Sequence, residues 1–128
     1  MFTNGCFDIL HRGHFELLAF CKNLGRVTVG LNSDQSVRRL KGNARPINKV
    51  EDRIFALQSC KYVDEIIVFD TDTPQALIEK IRPDIIVKGG DYVGAEVVGK
   101  DIAEVVIFPF KTGYSTTGIA AQIELWGY

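Results

Sequence analysis

The sequence predicts an α/β fold, a doubly wound sheet of five parallel strands with helices on both faces, and two features carry that prediction. Four apolar runs are continuous and rich in β-branched residues rather than alternating, as strands covered on both faces require. Amphipathic helical stretches separate them through short connections. At 128 residues the chain suits a single domain spanning 1–128, with no repeat, linker or low-complexity segment.

A very short strand opens the chain at Phe2-Thr3, and the longer runs are Arg26 to Leu31, Glu65 to Phe69, Asp84 to Val87 and Glu104 to Phe108. Phe15, Leu18 and Ala19, followed by Lys22, lay out one apolar helix face, which Gly25 closes. Val50, Ile54 and Leu57 repeat at i, i+4, i+7 in a second helix. Asn48 is its candidate cap, and Glu51 and Asp52 fall in its first turn, where the dipole favours acids. Thr73-Pro74, a cap followed by proline, opens a helix over 75–81 that ends before Pro83. The last helix is expected to start near Ser115-Thr116 and run through Ile119, Ile123 and Leu125. Strand and helix alternate throughout, which makes the expected architecture Rossmann-like.

Hydrophobic residues at 46% and charged residues at 24% are an ordinary globular balance, and no apolar run approaches the ~18 residues that span a bilayer. Met1 to Gly5 shows no basic-then-apolar leader, so the expectation is a soluble, cytoplasmic protein without membrane contact. Cys6, Cys21 and Cys60 are odd in number and lack CxxC spacing, which argues for reduced thiols, two of them in the core. A net charge of -1 gives no reason to expect nucleic acid, yet the charge is uneven. Arg38, Arg39, Lys41, Arg45, Lys49 and Arg53 place six of fifteen Lys and Arg residues within sixteen positions. That segment either faces a small polyanion or is a solvated helix and loop surface.

In doubly wound sheets ligands sit beyond the carboxyl ends of the strands. The stretches to inspect are therefore Gly5 to His14, Asn32 to Asp34, Lys88 to Tyr92 and Pro109 to Thr117. The first contains both histidines of the chain, in His11-Arg12-Gly13-His14 leading into a helix. A helix N-terminus offers free N–H groups and a positive dipole end, Gly13 permits close approach to the backbone, and imidazoles three residues apart share a face. The pattern fits donation to phosphate oxygens as charge moves onto a leaving pyrophosphate. A surface cap with incidental histidines, and a metal site of His11, His14 and Asp8 or Cys6, remain open alternatives. Neither G-x-x-x-x-G-K-[ST] nor G-x-G-x-x-G occurs. Lys88-Gly89-Gly90-Asp91-Tyr92 supplies two glycines for backbone approach and a carboxylate for a ribose hydroxyl or a metal-bound water, or it is a simple glycine turn. Ser115, Thr116 and Thr117 put hydroxyls at an expected helix start, as a phosphate site or an ordinary cap.

Together these stretches resemble the cytidylyltransferase-like nucleotidyltransferases that carry an H-x-G-H signature. "TNGCFDILHRGH", "VGLNSDQSVRRLKGNARPIN", "EDRIFAL", "VDEIIVF", "DTPQALIEKIRPDIIVKGGDY", "EVVG" and "GYSTTGI" follow the family's order over nearly the whole chain. Within the family the likeness is greater to adenylyltransferases that make ADP-heptose from D-glycero-β-D-manno-heptose 1-phosphate, alone or as one domain of a bifunctional enzyme. Glycerol-3-phosphate cytidylyltransferases are more distant: Phe110-Lys111-Thr112 stands where they carry Arg-Thr-Glu.

The resemblance implies attack by a sugar-phosphate oxygen on the α-phosphorus of ATP or CTP, with Mg²⁺ bridging the phosphates rather than held by direct protein ligands. It makes His11, His14, Lys41 and Arg53 catalytic, Lys41 from a mobile loop after the second strand and Arg53 by reaching the phosphates. Cys6, Phe7, Gly13, Lys88, Gly90, Asp91, Tyr92, Ser115, Thr116 and Thr117 would bind nucleotide. Asp8 and Arg45 would attend the acceptor. It also implies a homodimer. Few residues precede "TNGCFD", so the central strand is expected to be short. A nucleotide-binding protein without turnover is the alternative outside the enzyme class.

Overall fold

The computed structural model describes residues 1–90 and 97–109. In chain order these form β1 (Phe2–Gly5), α1 (Arg12–Leu24), β2 (Thr28–Asn32), α2 (Asp34–Lys41), α3 (Val50–Gln58), β3 (Glu65–Phe69), α4 (Gln75–Ile81), β4 (Ile85–Gly89) and β5 (Glu104–Phe108). All strands pair in parallel in the order β3-β2-β1-β4-β5, so the expected five-stranded α/β sheet is present. Each expected run holds a strand, and β1 is short, as expected. The helix expected from Ser115 lies outside the described residues.

The two faces of the sheet bury separate clusters. Leu17, Leu18 and Cys21 of α1 and Leu57 of α3 pack with Val29, Leu31 and Val87 on one face. Phe2, Ile86 and Ile78 of α4 form the other, so the chain crosses the sheet between β3 and β4. Gly99 closes that second cluster: its φ of +89 suits glycine, and a Cβ there would lie 2.6 Å from Ile86 Cδ1. Cys21 and Cys60 are buried and Cys6 is half-buried, all as free thiols.

Several local expectations are corrected. The buried face of α1 runs through Leu17, Leu18 and Cys21 and leaves Phe15 exposed. Lys49, not Asn48, is the N-cap of α3, because the Asn48 side chain is drawn to Asp8 instead. At α4 the cap position falls on Pro74, with Thr73 Oγ1 accepting from Gln75 N at a long 3.4 Å. The basic segment between β2 and α3, whose sequence fits either an anion-facing stretch or a solvated helix and loop surface, contains α2. Ser33 caps it by accepting from Ser36 N, Asp34 sits in its first turn and Arg38, Arg39 and Lys41 in its last. Lys41 therefore ends a helix rather than lying in a loop.

Candidate active site

Strand order reverses between β1 and β4, and there the sheet opens. Main-chain pairing between them is limited to Phe2↔Ile86. Beyond it lies a cleft of about 360 Å³, within the range of small-ligand sites. Asn4, Gly5, Cys6, Phe7 and Asp8 line it from the end of β1, and Lys88 and Gly89 from β4. His14 and Leu17 of α1, Asn32 of β2, Leu40 and Lys41 of α2, and Asp72 complete the wall.

The two histidines close the start of α1 on themselves. His11 is the N-cap, and its Nδ1 accepts from Gly13 N at 3.1 Å. His14 at the third helical position returns the contact, its Nδ1 accepting from His11 N at 3.3 Å. This is a capping box built from imidazoles in place of the usual hydroxyl and carboxylate. Within the box the Gly13 N–H is engaged by His11. The box also selects a tautomer: with Nδ1 accepting, each neutral ring carries its proton on Nε2. The rings lie 3.9 Å apart, and Phe7, at φ +47, packs its ring 5.2 Å from His14.

Burial, then the neighbouring His11 and Lys41 charges, lower the His14 pKa to about 4, and burial lowers that of His11. Both rings are therefore neutral at pH 7. Since the folded value for His14 lies below its ordinary 6.5, the unfolded chain takes up that proton first. The stability linked to it is complete above about pH 6.5 and is lost as pH falls toward 4. NMR of the His14 ring in the empty protein should show a midpoint near 4, rising when a triphosphate binds, because an adjacent anion favours imidazolium. A midpoint near 6.5 in the empty protein would contradict this environment.

Asp8 and Arg53 lie at the back of the cleft and hold its walls. Asp8 is 6% exposed, and its carboxylate accepts from Ile47 N at 2.8 Å and Asn48 N at 2.7 Å, while Asn48 Nδ2 donates to its carbonyl. Arg45 approaches the same carboxylate at 3.9 Å. Arg53 is 1% exposed and donates to the carbonyls of Asn48, Cys6 and Asn32 and to the Asp34 carboxylate, at 2.7 to 3.0 Å. One guanidinium thus joins the ends of β1 and β2, the start of α2 and the strap before α3. Arg53, expected from the resemblance to reach phosphates, is not among the residues lining the cleft, and four of its five N–H donors are engaged within the protein.

Lys41 and Lys88 do line the cleft. Lys88 Nζ donates to Asn4 Oδ1 at 2.9 Å, and burial lowers its pKa. Burial raises the Cys6 thiol above its ordinary value despite Lys41 and Arg53 nearby, so Cys6 enters as a neutral thiol. Among the described residues no cluster of three or more His, Cys, Asp or Glu side chains suits a metal ion. The cleft carboxylates are engaged, Asp8 as above and Asp72 with Arg39 at 2.8 Å.

Of the residues expected from sequence, Cys6, Phe7, Asp8, His14, Lys41 and Lys88 converge on this cleft. His11 and Gly13 support it through the cap, Arg45 and Arg53 from behind. Gly90, at φ +113, donates its N–H to Phe108 O. Asp91, Tyr92, Ser115, Thr116 and Thr117 lie outside the described residues. Sequence reasoning missed Asn4 and Asp72. The strand-end rule, applied after β3 as well, finds Asp72; nothing in the sequence distinguishes Asn4.

A family model described as cytidylyltransferase-like matches residues 2–119. Bifunctional protein HldE of Campylobacter concisus is 56% identical over 126 residues, and that of Helicobacter pylori 51%. Each alignment covers 97% of this chain, which spans 27% of the length of those curated relatives. The lipopolysaccharide core biosynthesis protein from Thermoplasma volcanium superposes with a TM-score of 0.67 at 28% identity, over 89% of this chain and 96% of that one. A macrolide-efflux protein from Streptococcus pneumoniae shares the fold alone, with a TM-score of 0.62 at 23% identity, over 95% of this chain and 51% of that one. No helix among the described residues is long and apolar enough to cross a membrane. With the match running from β1 past β5 and the H-x-G-H turn capping the helix at the cleft, this chain belongs to the cytidylyltransferase-like family.

Proposed function

We propose that this chain is a nucleotidyltransferase that transfers AMP from ATP to heptose 1-phosphate and releases pyrophosphate. The observation that carries it is the cleft at the point where strand order reverses, into which three elements bring nitrogen donors: His14 from α1, Lys41 from α2 and Lys88 from β4. Such a site has positive charge and N–H groups for a polyphosphate, and its carboxylates are already engaged. The choice of heptose and ATP is supported by the sequence likeness to the ADP-heptose-forming branch. It also agrees with relatives named bifunctional, of which this chain matches a part.

An ionised oxygen of the acceptor phosphate attacks the α-phosphorus as the bond to the bridging oxygen of the β-phosphate breaks, and pyrophosphate leaves with that charge. The acceptor is already an anion, so no general base is required. What the reaction asks of the protein is alignment and charge stabilisation. The Nε2–H of His14 is held by its capping contact and costs no reorientation as charge builds on the leaving group. Lys41 and Lys88 neutralise the phosphates from opposite sides of the Gly5 to Asp8 turn. Asp8 acts by holding residues 45–48 in place. Magnesium would arrive on the triphosphate, held chiefly by phosphate oxygens and water, and would neutralise the phosphate charge. By resemblance Asp91 and Tyr92 serve the nucleoside and Ser115, Thr116 and Thr117 the phosphates. A cytoplasmic homodimer belongs to the same reading, supported by family likeness and by the free thiols.

Pyrophosphate release with Mg²⁺ over a grid of ATP and CTP against heptose 1-phosphate and glycerol 3-phosphate tests the proposal. Turnover with ATP and heptose 1-phosphate alone is expected. Turnover with CTP and glycerol 3-phosphate would replace the substrates, and triphosphate binding with silence across the grid would overturn the catalytic assignment.

A further inference from the structure

β1 pairs with β2 at four positions and β4 with β5 at five, but β1 and β4 meet at Phe2↔Ile86 alone. Side chains alternate along a strand, so Asn4 and Lys88, each two residues further on, share the face of Phe2 and Ile86. At that level the main chains have parted and the side chains bridge the gap, Lys88 Nζ donating to Asn4 Oδ1 at 2.9 Å. The bridge has firm support. Phe2 and Ile86 beneath it are fully buried in one cluster, and Gly30 beside it leaves room where a Cβ would fall 3.3 Å from Asn4 Cβ and 2.6 Å from the Phe2 ring.

Lys88 is half-buried and forms no ion pair among the described residues. A carboxylate in the place of Asn4 would hold the ammonium equally well and cancel its charge. The amide holds it through one of three N–H donors and leaves the charge intact. A partly buried cation without a counter-ion is costly, and an anion entering the cleft repays that cost.

We infer that Asn4 is a positioning residue, which fixes the Lys88 ammonium at the floor of the cleft, uncancelled, as the anchor for a phosphate group of one of the two substrates. The inference rests on the nucleotidyltransferase reading and adds to it a residue that sequence analysis did not single out.

The test compares wild type with Asn4→Asp and Asn4→Leu, and Asn4→Leu in a Lys88→Met background. Calorimetric binding of MgATP and of heptose 1-phosphate is measured beside KM, kcat and thermal melting. Asn4→Asp should weaken binding of one ligand by about tenfold or more, the scale of a charge-assisted contact, and raise its KM more than it lowers kcat while melting stays near wild type. Loss confined to MgATP assigns the anchor to the nucleotide, and loss confined to heptose 1-phosphate assigns it to the acceptor. Asn4→Leu should weaken the same ligand, and with Lys88→Met already present it should do nothing more. Unchanged affinity for both ligands in Asn4→Asp, or an equal loss from Asn4→Leu with and without Lys88, overturns the inference. A wild type that binds MgATP without turning over heptose 1-phosphate would instead sink the acceptor assignment, and the MgATP affinities of the variants would still decide the role of Asn4.

Discussion

Replacing Arg53 by leucine is expected to lower the unfolding free energy by about 3–5 kcal/mol, the range for removing one partner of a buried ionic network. For a domain of this size that is a fall in Tm of roughly 10–20 °C. The side chain is fully buried, and its loss strands the carbonyls of Cys6, Asn32 and Asn48 together with the Asp34 carboxylate. Leucine fills part of the volume and satisfies none of the four acceptors. Arg53→Lys should also melt early, because one ammonium cannot span acceptors that a planar fork reaches in different directions. The distinction from a phosphate contact is direct. A residue that touched substrate would show a raised KM with melting unchanged in Arg53→Lys; a residue that ties the site together shows lowered melting and impaired activity together. Thermal melts of both variants beside steady-state kinetics decide it, and an Arg53→Lys protein with wild-type Tm would refute the clamp.

That role was illegible in the sequence for a physical reason. Arginine in a basic stretch reads as a solvated or anion-facing charge, because spacing along a chain does not say which arginine the fold will bury. Burying Arg53 requires four acceptors from four separate places, and only the folded chain brings Cys6, Asn32, Asp34 and Asn48 together. Asn48 failed as a predicted cap for the same cause: its local option was outcompeted by Asp8, forty residues away. By contrast the strands were legible because each carries a continuous apolar, β-branched run, a signal local to that run that holds even for the edge strands β3 and β5, where Val68 and Ile107 are exposed. α2 was not legible, since four of its eight residues are charged and its only buried ones are Ser36 and Val37. The positions of His14 and Lys88 beyond strand ends followed from the topology once the strands were known, whereas Lys41 was named by family resemblance and its place at the end of α2 came from the fold. Lys88 gained its meaning only with Asn4, a contact across 84 residues.

Substituting His14 is expected to reduce turnover by about 10²- to 10³-fold, the scale on which one preorganised donor to developing negative charge is lost. The capping box lets that loss be separated from damage to the helix. His14→Ala removes both the Nε2–H group and the acceptor for His11 N, so it should also lose about 1 kcal/mol of stability. Glutamine is a favoured residue at the third position of a capping box, and its side-chain oxygen can accept from His11 N while no ring N–H remains. His14→Gln should therefore melt near wild type and still be nearly inactive. His11→Ser makes the converse change, since serine is a strong N-cap that keeps the contact to the helix and removes the other imidazole. If the histidines served the helix alone, His14→Gln and His11→Ser would both retain activity, and the nucleotide chemistry assigned to this turn would fall. If both fold as wild type and turn over poorly, the imidazoles work through their Nε2–H groups and the cap is the device that aims them.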